Sequence, residues 1–90
     1  MYFVYIVRCK DNSLYTGYTL NIEQRVRQHN TSWLGAKSLR GKLPVQLVYF
    51  ETFTDKITAL KREREIKGWR KDKKENLIAL ALMSVAKKRW

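Results

Sequence analysis

The stretch Tyr2-Phe3-Val4-Tyr5-Ile6-Val7-Arg8-Cys9, followed by Lys10-Asp11-Asn12-Ser13 and then Leu14-Tyr15-Thr16-Gly17-Tyr18, decides the fold. Its first arm is β-branched or aromatic at nearly every position, and Asp, Asn and Ser supply turn chemistry between two apolar arms, which predicts a strand-turn-strand hairpin. Phe3, Tyr5, Val7 and Cys9 alternate with Tyr2, Val4 and Ile6, so both faces of the first arm are apolar. A strand of that kind belongs in the middle of a sheet covered on both sides. Tyr5 and Tyr15 then share a face if the connection has an odd number of residues, and separate if it is even and no bulge intervenes.

The rest of the chain is short and strongly basic. Ninety residues make one domain, spanning 1–90, with a core large enough to fold without staples. Nineteen Lys and Arg against eight Asp and Glu give a formal charge of +11, for which a polyanion, and nucleic acid first, is the economical partner. A membrane-surface protein would need a basic amphipathic helix, and the most apolar helix, Leu77 to Ala86, lacks a polar face. The apolar run at the N-terminus stops at Arg8, too short for a membrane span and without a signal-peptide pattern. The single cysteine, Cys9, has no internal partner, which suits a small core residue in a reducing cytosol, and the expected location is cytoplasmic.

Asn21 is placed to cap a helix from about Ile22 to Asn30, with Gln24 completing a capping box. At about 100° per residue, Ile22, Arg25, Val26 and His29 fall on one stripe, so Arg25 and His29 face the core side. The ordinary reading is a snorkelling arginine and a satisfied histidine; the functional one is that this stripe packs on the tyrosine face. Trp33 to Lys42 reads as a short irregular or helical segment in which Lys37 and Arg40 either contact phosphates or are simply solvated. Pro44 opens a third strand, Val45 to Phe53, giving a three-stranded antiparallel sheet flanked by helices, an α+β fold.

Thr54 or Asp55 caps the next helix, which runs to about Lys67 and stops at Gly68. Ala59, Leu60, Glu63, Ile66 and Lys67 share one face, with Glu63 near its middle and Glu65 pointing nearly the other way. A carboxylate in an apolar stripe requires a cation, either an arginine, of which Arg25 is the candidate, or a metal ion. Glu65 reads as a solvated residue pairing with Lys61 or the basic neighbours of Trp69. A last helix, capped by Asp72, is apolar all round, either buried or partly exposed as a surface for self-association, and carries Asn76 on its first turns.

Val4-Tyr5-Ile6, Tyr15-Thr16-Gly17 ten residues on, Arg25 and His29 on a helix, and Glu63 within Arg62-Glu63-Arg64-Glu65-Ile66-Lys67 together resemble the GIY-YIG nuclease superfamily. With the full length and Leu43-Pro44-Val45-Gln46-Leu47-Val48-Tyr49, the chain is similar to its small stand-alone bacterial members. The first motif's glycine is missing, and Thr16 stands where the second motif has isoleucine; neither change removes a polar group. The resemblance implies metal-dependent hydrolysis of a DNA phosphodiester. By position, Tyr5 and Tyr15 would be the site tyrosines, Arg25 the stabiliser of phosphoryl charge, His29 an orienting or proton-transferring group and Glu63 the metal ligand. Asn76 resembles a late asparagine of some members, and Lys37, Arg40 and Lys67 would touch nucleic acid. A lone carboxylate suits Mg²⁺ or Mn²⁺, and a nearby cation or Arg25 would favour a tyrosine phenolate as the proton acceptor. Two competing classes are a non-catalytic basic nucleic-acid binder on the same scaffold and an interaction module working through the last helix. The full polar set favours the nuclease over the first, and the charge disfavours the second.

Overall fold

The computed structural model describes residues 1–31 and 41–88. β1 (Tyr2–Arg8) and β2 (Leu14–Thr19) form the hairpin, and α1 (Ile22–Thr31), β3 (Gln46–Phe53), α2 (Lys56–Lys67) and α3 (Lys71–Lys88) follow. The sheet is antiparallel in the order β2-β1-β3, so the strand with two apolar faces is indeed the central one. On one face Val4 and Ile6 pack with Ala59 and Ile66 of α2 and Ile78 of α3. On the other, Tyr5 and Val7 pack with Cys9, Val45 and Val26 of α1. Three layers result: α1, the sheet, and the α2–α3 pair.

The hairpin connection runs from Cys9 to Ser13, an odd count. Cys9 N donates to Ser13 O at 2.8 Å, Asn12 takes a φ of 72°, and Asp11 Oδ1 accepts from Ser13 N and Oγ. Tyr15 therefore pairs with Val7 and Gly17 with Tyr5, which puts both tyrosines on the α1 face. A register shift between Ile6 and Val7 gives β3 one extra residue, so that Val48 and Tyr49 both pack towards α2 and α3 while Leu47 packs on the α1 side.

Asn21 caps α1 as expected, its Oδ1 accepting from Gln24 N at 3.0 Å. Asn30 at the far end clamps the approach to β3, accepting from Val45 N at 2.6 Å and donating to Val45 O at 3.0 Å. Asp55 rather than Thr54 caps α2, accepting from Thr58 N at 2.8 Å, and Gly68 closes it. Asp72 does not cap α3. That helix begins at Lys71, and Asp72 lies inside the first turn, where its charge complements the N-terminal dipole.

α3 is only half embedded. Leu77 and Ile78 join the core, whereas Leu80, Leu82 and Met83 are exposed. Arg8 fastens it to β1 by two 2.7 Å hydrogen bonds to Glu75, a pairing between residues too distant in sequence for any helical spacing to reveal. Among the described residues no helix is long and apolar enough to cross a membrane. The expected basic segment carrying Lys37 and Arg40 lies outside the described residues.

Candidate active site

Tyr5, Tyr15 and His29 form one aromatic cluster between the sheet and α1. Tyr5 Oη lies 2.9 Å from His29 Nε2, and both residues are only 1 % exposed. The Tyr15 ring meets Tyr5 edge-on with centroids 6.4 Å apart and His29 at 5.4 Å with planes at 86°. Burial, reinforced by the Arg25 charge, pushes the His29 pKa down to about 4, so the imidazole is neutral at neutral pH. Burial also lifts Tyr5 to about 12 against the opposing pull of Arg25, with the Tyr15 and Glu63 charges adding to the rise. Arg25 pulls in the direction expected for a site tyrosine, but at Tyr5 desolvation is the larger effect, so the phenolate is disfavoured at this one of the two tyrosines. The imidazole tautomer decides which of the two donates, and in either tautomer His29 Nδ1 is buried without a partner among the described residues.

The close approach depends on Gly17. A Cβ there would sit 2.4 Å from Tyr5 Oη and 2.5 Å from Cζ, so the Tyr5 ring occupies the space that any other residue's side chain would need. The pairing Tyr5↔Gly17 thus explains the glycine of the second motif in steric terms. Tyr15, by contrast, is partly exposed and opens on a cavity of about 260 Å³ at the hairpin end.

Arg25 is half-buried on α1, donating to Gln28 Oε1 at 3.2 Å, and its guanidinium acts on both Tyr5 and His29. Glu63 comes from the opposite layer. Its helix packs Ala59 and Ile66 against the Val4–Ile6 face, yet its charge reaches Tyr5, a geometry open to it because β2 is an edge strand. The alternative to a metal ion, a salt bridge from Glu63 to Arg25, is not formed; Glu63, with its side chain 18 % exposed, pairs with Lys67 at 3.3 Å. Leu60 and Lys67, placed by angular count on the inner face, are exposed. Glu65 is solvated as expected but pairs with Arg62 rather than Lys61, and Arg62 also grips Glu51 of β3 through two 2.9 Å bonds. Asn76 is exposed on α3 and, among the described residues, makes no hydrogen bond to the cluster. No group of three or more His, Cys, Asp and Glu that could hold a metal is present among the described residues, so Glu63 stands as a lone carboxylate.

The order of these residues along the chain and their meeting around Tyr5 are the marks of a nuclease fold, and comparison with known proteins agrees. The family profile described as the GIY-YIG catalytic domain matches residues 1–76, and the chain belongs to that family. It is similar to a UPF0213 protein of Haloquadratum walsbyi, 55 % identical over 76 residues that cover 84 % of each chain. A UPF0213 protein of Staphylococcus saprophyticus is 53 % identical over 78 residues, 87 % of this chain and 94 % of that one. The solution NMR structure of a UPF0213 protein from Bacillus halodurans superimposes with a TM-score of 0.57 at 43 % identity, covering 89 % of this chain and 85 % of that one. The relatives come from archaea as well as bacteria, a wider range than the bacterial likeness expected.

Proposed function

We propose that the protein is an endonuclease that hydrolyses phosphodiester bonds in DNA with the help of a divalent cation, Mg²⁺ or Mn²⁺, held at Glu63. The single observation that carries this reading is the Tyr5–His29 hydrogen bond, set where Tyr15, Arg25 and Glu63 all act on the same phenol. A lone, partly exposed carboxylate fits Mg²⁺, which is commonly bound by one or two carboxylates together with water and substrate phosphate rather than by a ready-made cage. Bound there, the ion would supply Lewis-acid polarisation of the phosphoryl group and stabilise the leaving oxygen.

The chain's own residues divide the remaining work. Arg25 offers a planar donor fork to charge developing on the phosphoryl oxygens. Tyr15, the tyrosine open to the cavity, meets the attacking water and takes its proton once its own has been lost. Tyr5 and His29 form the buried wall behind it: the hydrogen bond holds the imidazole, and burial of both rings strengthens the field of Arg25 on them. Affinity comes from the general positive charge of the chain, and Lys67 beside Glu63 is a phosphate contact within reach of the site.

The test is cleavage of single-stranded, duplex and branched DNA, with an RNA control, in Mg²⁺ and in chelator. Mg²⁺-dependent cutting that disappears in Glu63→Gln supports the reading. Salt-sensitive binding without cutting of any substrate would show instead a non-catalytic nucleic-acid binder.

A further inference from the structure

The cavity onto which Tyr15 opens is more basic and more polar than the cleavage chemistry itself requires. Besides Tyr15 it is lined by Ser13, Thr16, Lys42 and Lys67. Its volume, about 260 Å³, falls below the usual range for pockets that take organic ligands, so it suits a small anion better than a base and sugar. Thr16 is buried and its Oγ1 has no hydrogen-bond partner, a state that costs about 1–3 kcal/mol unless something arrives to use the hydroxyl.

A second, independent observation concerns Lys74 of α3. It is only 8 % exposed, and among the described residues it makes no hydrogen bond or ion pair. Burial and the neighbouring Lys67 ammonium hold it below the usual lysine range. Lys74 lies outside the residues that line the cavity, and its charge adds to that of Lys67, which does line it. Lys42 reaches Asp11 only at 3.9 Å, and among the described residues the one acid paired with Lys67 is Glu63. Once Glu63 serves as a cation ligand, Lys67 is left without a carboxylate as well. Two ammonium groups, those of Lys42 and Lys67, and two hydroxyls, those of Ser13 and Thr16, are the donor set for a phosphate, which lysines bind as point charges.

We propose that this cavity is a second phosphate subsite, holding the backbone phosphate of the substrate strand that neighbours the one cleaved beside Tyr15. The assignment rests on the nuclease reading for which phosphate is cut, but the subsite itself is testable by binding alone. It gives the protein a way to fix the strand's position without reading bases, since a neighbouring phosphate sets register and direction on any sequence.

The experiment uses Thr16→Val, which keeps the side chain's shape, and Lys42→Met, which keeps the stem and removes the charge. Each variant is melted, and binding to a short oligonucleotide is measured without divalent cation across a salt series, with 5′-hydroxyl and 5′-phosphate ends compared. Thr16→Val should melt at or above the wild-type temperature, because a buried unpaired hydroxyl has been removed, and Lys42→Met close to it, because that side chain is partly exposed. Both should bind roughly tenfold more weakly, and Lys42→Met should lower the salt slope by about one contact. In cleavage the loss should fall on KM and not on kcat. Unchanged affinity and salt slope would overturn the subsite even if the wild type cuts DNA, whereas weakened binding in a wild type that cuts nothing would leave the subsite standing and remove only the nuclease reading. A preference for 5′-phosphorylated ends that both variants lose would overturn the internal-phosphate assignment in favour of a terminal phosphate.

Discussion

Replacing Gly17 by alanine tests the centre of the site with a single methyl group. The new Cβ would lie 2.4, 2.5 and 2.8 Å from Tyr5 Oη, Cζ and Cε1, where ordinary contact begins at 3.4 Å, so the ring must retreat by roughly 1 Å. Tyr5 has nowhere free to go, being enclosed by His29, Tyr15 and the sheet. Overpacking of this kind costs about 1–3 kcal/mol, and a 2.9 Å hydrogen bond stretched by that movement forfeits about 1 kcal/mol more. The sum, about 2–4 kcal/mol, lowers Tm in a domain of this size by roughly 10–25 °C. Thermal melting followed by circular dichroism reads it directly, and cleavage should fall by more than the folded fraction does, because the wall behind Tyr15 has moved. The control is a double mutant. Tyr5→Phe would leave Cζ and Cε1 in the way, so the relief must come from Tyr5→Val, in whose background Gly17→Ala should be close to neutral. A Gly17→Ala protein that melts with the wild type, or costs as much with Tyr5→Val as without it, would refute the steric account.

Other outcomes follow from the same geometry. With His29 held at about 4 while the unfolded chain's histidine titrates near its ordinary 6.5, the unfolded state takes the proton first as pH falls. Stability is therefore full above about pH 6.5, declines by up to ~3 kcal/mol towards pH 4 and levels below; His29→Gln should remove that decline in an acid titration of Tm. Glu63→Gln should abolish cation-dependent cleavage with little change in melting, since its partner Lys67 is half exposed and such pairs contribute about 0–1 kcal/mol; Glu65→Gln should leave both unchanged, and a large loss of stability in Glu63→Gln would mark a structural role instead. If Tyr15 is the group that meets the water, Tyr15→Phe should lose cleavage while keeping affinity for DNA, whereas His29 as the base would give a kcat that is level from about pH 5 upward.

What the residues announce in advance and what they conceal divide along a physical line. Strand alternation in Tyr2–Arg8 and the 3.6-residue period in α1 are local properties, and they placed β1 at the centre of the sheet and turned Arg25 and His29 towards the tyrosine face. The parity of the Cys9–Ser13 connection, also local, put Tyr15 on the same face as Tyr5. Contacts that join distant segments were not legible: Arg8 with Glu75, Arg62 with Glu51 and Asn30 with Val45 leave no periodic trace. Gly17 could have been anticipated, because a glycine inside a strand marks a close approach, but the group approaching it depends on register.

Glu63 is the instructive case. The angular count placed it among Ala59 and Ile66, and those two do bury, but against Val4 and Ile6, the face turned away from Tyr5. Helix periodicity says which side of α2 meets the sheet and nothing about which face of the sheet it meets. Strand order resolves the conflict, because β2 is an edge, so a residue of the lower layer can act on the upper one around it. The site is consequently shared by both layers: Arg25 and His29 arrive with α1, the tyrosines with the hairpin and Glu63 with α2. None of these elements carries the proposed chemistry alone, and the candidate site is complete only when α1 and α2 have both docked on the same hairpin. Loosening either layer should therefore cost activity before it costs the hairpin itself.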